Sequence, residues 1–217
     1  MTEPGVVAIL LYDQMTALDA IGPYEVLSRL PGLVTKFVGT ERGLKRTDKT
    51  LGLMADHLLE EVMEPRIVLV PGGPGQAAIM KDERVLSWIS QAHQTSTWTT
   101  AVCTGSLILA GAGIMNGVRA TSHWLALEEL GRLGAVPVAE RVVFDGKIVT
   151  GAGVSAGIDL ALQLAERVSG EETARSIQLW IEYDPQPPFN AGNPRKANNS
   201  TVEELRRQSR FHRSGAK

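Results

Sequence analysis

The chain has 217 residues, 43% of them hydrophobic and 21% charged, with a formal net charge of −2. That is the composition of one globular domain with a sizeable core, without the basic footprint that nucleic acid or an anionic membrane would need as a primary partner. A single cysteine excludes an intrachain disulfide and any multi-thiolate metal site. No basic start or small-residue cleavage site flanks the apolar run Val6 to Leu11, and no stretch is long enough to span a bilayer, so a cytoplasmic location is expected.

Val6 to Leu11 is continuously apolar, the pattern of a parallel strand buried on both faces and central in a sheet. After the loop 12–16, Pro23 suits the first turn of a helix that continues through Glu25 to Leu27, with Asp19 just ahead of that turn. Asp19 is then near the carboxyl end of the first strand, the edge where open α/β sheets bind ligands; it either shares a crevice there or only caps the helix. Leu33 to Val38 is a second strand. The charged segment Glu41 to Thr50 reads as a turn or small hairpin with a solvated face, before Leu51 to Ala55. Arg66 to Val70 is another buried strand running into Pro71-Gly72-Gly73-Pro74-Gly75. Such a turn either aims the N–H groups of Gly72 or Gly73 at negative charge on a substrate, or merely supplies the positive φ angles of a tight connection. It lacks the Lys-Ser/Thr ending of a P-loop and the glycine spacing of a dinucleotide fingerprint.

Asp82 to His93 is patterned as an amphipathic helix. Thr97 to Val102 then favours a strand and Ser106 to Ala110 a helix, so Cys103 falls on the turn between them. This is the layout of a nucleophile elbow with Cys in place of Ser. A helix starting at Gly105 directs free N–H groups and its positive dipole end toward the sulfur, which predicts a lowered thiol pKa; the bland alternative is a buried, inert cysteine. Arg119 to Trp124 reads as a short strand opening onto a helix from Leu125 to Leu133, which leaves His123 either near the site or as a structural hydrogen-bonder. Arg141 to Thr150 is a hairpin with an Asp-Gly turn, and Gly151 to Gly157 leads into an apolar helix ending near Val168. A last long helix is expected over Glu171 to Glu182. Four prolines make Tyr183 to Pro194 an irregular arm that covers a neighbour or borders the site. Ser200 to Glu203 has the form of a capping box for a short helix to about Gln208, with a frayed remainder. The expected division is one domain over 1–190 and a partly flexible arm and helix over 191–217.

The glycine turn 71–75, the elbow Ala101-Val102-Cys103-Thr104-Gly105-Ser106 and the segment Ala120-Thr121-Ser122-His123-Trp124, in this order of elements, resemble the DJ-1/PfpI superfamily over roughly residues 5–182. Leu18-Asp19-x-x-Gly22-Pro23-Tyr24-Glu25-Val26, the Thr after the cysteine, and Glu182 to Phe189 resemble its isocyanide (isonitrile) hydratase subgroup. The resemblance implies a flavodoxin-like α/β three-layer sandwich with a mostly parallel sheet, usually a homodimer. It also implies a Cys103 nucleophile, Asp19 as its acidic partner and Thr104 beside them. Thr104 stands where related peptidases carry His, Asp19 where deglycase-like relatives carry Glu, and the chain ends before the DNA-binding domain of the related transcription factors. The implied chemistry is cofactor-free and metal-free hydration of an isocyanide to an N-substituted formamide through a thioimidate on Cys103, with Gly72 or Gly73 N–H groups stabilising the intermediate. Two other readings fit the same residues: a non-catalytic redox or metabolite sensor, and a hydrolase of another small carbon–nitrogen compound.

Overall fold

The computed structural model describes residues 4–211. Strands β1 (Gly5–Leu10), β2 (Leu33–Gly39), a hairpin of β3 (Gly43–Arg46) and β4 (Gly52–Ala55), β5 (His57–Leu58) and β6 (Ile67–Val70) occupy the first third, with helix α1 (Ala17–Leu27) between β1 and β2. Then come α2 (Gln76–Ile79), α3 (Glu83–Thr95), β7 (Trp98–Val102), α4 (Gly105–Gly111), β8 (Arg119–Ala120), a 3-10 turn at Trp124–Ala126 and α5 (Leu127–Arg132). The chain continues through β9 (Val136–Pro137), the antiparallel hairpin β10 (Val142–Asp145) and β11 (Ile148–Gly151), then α6 (Ala156–Ser169), α7 (Glu171–Trp180) and α8 (Asn199–Gln208).

Seven strands form the main sheet in the order β10-β11-β7-β6-β1-β2-β5, parallel except for β10. Buried on both faces, Val7 to Leu10 of β1 and Ile67 to Val70 of β6 show why these runs are unbroken in apolar residues. The chain leaves β1 toward β2 but returns to β6 on the other side, and parallel crossovers are right-handed, so this reversal sends α1 and α3 to opposite faces. Helices α1, α6 and α7 pack together, as do α3, α4 and α5, giving three layers. The reversal at β1 and β6 opens a crevice outside the carboxyl ends of the strands. Register aligns Val70, Ala101 and Thr150 across β6, β7 and β11, so the residues that follow them emerge side by side at that crevice.

Two helix starts differ from expectation. Helix α1 begins at Ala17, so Asp19 lies within its first turn and Pro23 in its interior. Pro23 survives there because the N–H it lacks would have served only the carbonyl of Asp19, one bond of the ladder, and because Gly157 of α6 lets its ring pack closely. Asp19 is therefore not a helix cap: the N-cap position belongs to Thr16, with no side-chain cap bond. Helix α8 begins at Asn199 after an N-cap Asn198, so Ser200 and Glu203 are inside it and form no capping box. The arm has no helix or strand from 183 to 194, as its prolines require; Tyr183 Oη bonds Asp159 of α6 at 3.2 Å, while Phe189 is 79% exposed. Among the described residues no helix is long and apolar enough to cross a membrane.

Candidate active site

Cys103 follows β7 directly and has φ +58, left-handed backbone that a residue with a Cβ adopts at a cost of about 1 kcal/mol or more. The surroundings over-determine that conformation. Its N–H bonds Gly151 O at 3.0 Å and Ala152 O at 2.8 Å, and its carbonyl accepts from Ser122 Oγ at 3.0 Å and Ser106 Oγ at 3.2 Å. The strained turn thus carries the thiol clear of the sheet, although it remains 95% buried, being only 5% exposed.

The glycine turn after β6 packs against the elbow backbone to backbone. A Cβ on Gly72 would sit 2.4 Å from Thr104 N and 2.9 Å from Gly105 N, and Gly73 has φ +129, so both positions demand glycine. Their N–H groups are already engaged: Gly72 N–H donates to Asp19 Oδ2 at 2.9 Å, and Gly73 N–H to Thr104 Oγ1 at 3.0 Å. The turn therefore holds the acid and the hydroxyl in place and does not leave these two donors open for substrate. The donors that face the sulfur are the backbone N–H groups of Thr104 and Val154. Tyr12, just beyond β1, steadies the same turn through Oη to Pro71 O at 2.8 Å.

Asp19, Cys103 and Thr104 are brought together and all three are buried. Burial raises the Asp19 carboxyl from 3.8 to about 7, only partly offset by the hydrogen bonds from Gly72 and the thiol. Its Oδ1 is buried with no protein hydrogen-bond partner of good geometry, so the contact with the thiol is close enough for the two to titrate together but is not a well-formed bond. Burial, and then the Asp19 charge, push the Cys103 thiol well above its ordinary range. This reverses the lowered pKa expected from the helix start. Desolvation and a neighbouring carboxylate outweigh two N–H donors and the end of a seven-residue helix.

His123 caps the 3-10 turn by accepting from Leu125 N–H at 3.3 Å, and burial followed by the nearby Arg210 charge lowers its pKa. It forms no hydrogen bond to Cys103 or Asp19. Sequence reasoning passed over Tyr12, Ser122 and Arg210. Ser122 sat inside a quoted motif, but Arg210 gave no local signal. The expected frayed end is instead tied down at Arg210, whose guanidinium bonds Gly73 O, Pro74 O and Gln76 Oε1; residues 212–217 of that end lie outside the described residues. A cleft of about 670 Å³ between α1 and α7, lined by Tyr24, Arg29, Ile177 and Trp180, contains none of the site residues. Among the described residues no group of three His, Cys, Asp or Glu side chains is placed to hold a metal.

Known proteins resemble the chain in sequence and in fold. The chain is 40% identical over 203 residues to the isonitrile hydratase of Pseudomonas putida, covering 94% of this chain and 89% of that one. A crystal structure of a ThiJ/PfpI family protein from Pseudomonas syringae superposes with a TM-score of 0.92 at 32% identity, over 94% of this chain and 86% of that one. Drosophila melanogaster DJ-1beta shares the fold alone, with a TM-score of 0.75 at 22% identity over 82% of this chain and 98% of that one. The model of the DJ-1/PfpI family matches residues 6–167, a span that runs from β1 into α6 and contains the glycine turn and the elbow, and the chain belongs to that family.

Proposed function

We propose that the protein hydrates isocyanides to N-substituted formamides through a covalent intermediate on Cys103, without metal or cofactor. The observation that carries this reading is the buried Asp19 carboxyl, raised to about 7 beside the only thiol of the chain. Its likeness to an isonitrile hydratase supplies the substrate class.

In the working state the Cys103–Asp19 pair holds one proton. Asp19 accepts it from the thiol as the sulfur attacks the terminal carbon of the isocyanide, and returns it to that carbon; the S–H bond is exchanged for S–C and C–H bonds, giving a thioimidate. Asp19, ionised again, takes a proton from water as the water oxygen adds to the same carbon, and passes that proton to the nitrogen; on collapse it carries the proton of the new hydroxyl to the sulfur. The tetrahedral adduct collapses, the C–S bond breaks, the thiol recovers its proton through Asp19, and formamide leaves. One water is consumed and the protein is restored. Thr104 Oγ1 orients the water, and the N–H groups of Thr104 and Val154 balance the charge that returns to sulfur. Gly72 and Gly73 serve by holding Asp19 and Thr104. The same reading takes a cytoplasmic homodimer as the working form, with exposed Leu179, Trp180 and Phe189 offering apolar surface to a second copy.

The sensor reading fares worse, because redox-sensor thiols are accessible and of low pKa, whereas this one is 5% exposed with a raised pKa. A hydrolase of another small carbon–nitrogen compound would use the same residues. The test is formamide production from a simple alkyl isocyanide by the protein and its Cys103→Ala variant. Turnover that disappears in the variant supports the reading; a fully active variant rejects the nucleophile, and an inactive parent rejects the substrate class.

A further inference from the structure

Beyond the domain core, α8 is seated by one buried side chain, Val202, and Arg206 lies 5.9 Å from the ring of Trp124. Phe211 packs on the edge of the core cluster. Between these anchors Arg210 reaches back across the mouth of the crevice. Its Nη2 donates to Gly73 O at 2.9 Å and to Gln76 Oε1 at 3.1 Å, and its Nη1 donates to Pro74 O. Gly73 is the residue whose N–H holds the Thr104 hydroxyl, so a single peptide segment is gripped by the guanidinium on one side and by the elbow on the other.

We propose that Arg210 is a positioning residue of the active site, which holds the Gly73–Pro74 segment, and through it the Thr104 hydroxyl, against Cys103 while adding a positive charge to the crevice. Fork geometry is what the task requires: three acceptors on two residues and a side chain are met by one planar group, which a lysine ammonium cannot reproduce. The charge acts inward as well. Its charge reaches Tyr12, Cys103 and His123: after burial it is the second cause that lowers the His123 pKa, and at Tyr12 it opposes only in part the burial and the Asp19 and Cys103 charges that raise the phenol. The titratable groups it acts on directly are Tyr12 after β1, Cys103 and His123, while Asp19 on α1 is reached through Cys103 and has Asp48 as its other charged neighbour; the negative charge beside Arg210 at neutral pH is therefore that of the Cys103–Asp19 pair. A cation there favours the singly ionised pair that the proposed reaction needs.

The inference rests on the hydratase reading for the reaction but not for the geometry, and one cysteine lets the two be tested apart. The full chain with Arg210→Met or Arg210→Lys is assayed for the rate of Cys103 alkylation by iodoacetamide against pH, and for turnover of an alkyl isocyanide. Arg210→Met is expected to move the acid limb of alkylation up by about half a pH unit and to lower kcat roughly tenfold to a hundredfold with little change in KM. Arg210→Lys is expected to restore the acid limb, because it keeps the charge, and to leave kcat depressed, because it loses the fork. An unshifted limb with parental kcat in the Met variant would overturn the proposal and reduce Arg210 to a surface anchor. Should the Met variant fail to melt cooperatively, the Lys variant decides: depressed kcat with an intact limb supports the proposal, and parental kcat overturns it. If the parent turns over no isocyanide, the hydratase reading fails while the alkylation limb still decides the place of Arg210.

Discussion

Asp19 is fully buried, and its folded-state pKa of about 7 lies above the value near 3.9 that it takes in the unfolded chain. Between these values the native state keeps a proton that the unfolded chain has released. The stability this carboxyl contributes is complete below about pH 4 and is lost as pH rises through about 7, by about 4 kcal/mol at most. Asp19→Asn should therefore melt higher than the parent at pH 8, by about 5 °C if half of that penalty is recovered, with the gap closing at pH 4. Thermal melts at the two pH values check the sign. The same substitution should lower isocyanide turnover by a factor of about a hundred or more, because an amide neither takes the thiol proton nor returns it. In the parent, kcat/KM should rise through an acid limb near pH 7, where the Cys103–Asp19 pair loses its first proton, and stay level into the alkaline range because the second lies far higher. A limb near pH 4 would mean that Asp19 is solvated during turnover.

The element that organises the site is the contact between two turns, the elbow after β7 and the glycine turn after β6. Gly72→Ala removes no functional group, yet its Cβ would lie 2.4 Å from Thr104 N, where only backbone can yield. The substitution should separate the turns, break the Gly72 N–H bond to Asp19, and lower both melting temperature and turnover by more than Ser122→Ala, which removes one of the two hydroxyls on the Cys103 carbonyl. Side-by-side melts and rates of the two variants test that order. Both turns were legible in the sequence, because a β-branched run ending in small residues and a Pro-Gly-Gly-Pro-Gly string each have local causes. Asp19 was legible as a candidate but not in its placement. Local preference places Pro23 at a helix start, whereas tertiary packing of α1 on α6 through Gly157 lets the helix begin six residues earlier. The direction of the thiol shift was illegible for a related reason. A helix start can be read locally, but desolvation and the approach of Asp19 come from elements 84 residues apart in the chain.

At the scale of the molecule, the site is the product of strand order. Reversal at β1 and β6 places the ends of β1, β6 and β7 together, and α1, the glycine turn and the elbow follow from those ends. The central place of β1 was legible from its unbroken apolar run, and the mostly parallel sandwich came from the family resemblance; the strand order itself has no local signature, although right-handed connections leave few parallel topologies to choose from. The return of the C-terminal segment was not legible either, because the bond from Arg210 to Gly73 spans 137 residues and no periodicity encodes it. The same contrast predicts how the segment fails when removed. Helix α8 buries only Val202, so a chain ending at Asn198 forfeits roughly 2 kcal/mol of apolar burial and keeps the seven-stranded sheet, with a melting temperature lower by about 5 °C and an unchanged far-UV circular dichroism spectrum per strand and helix retained. Turnover should fall much further than stability, and to within about threefold of the level of full-length Arg210→Met, because both lose the same guanidinium. A truncated chain far less active than Arg210→Met would instead show that α8 walls the substrate pocket through other groups, with Arg206 against Trp124 the first of them to substitute.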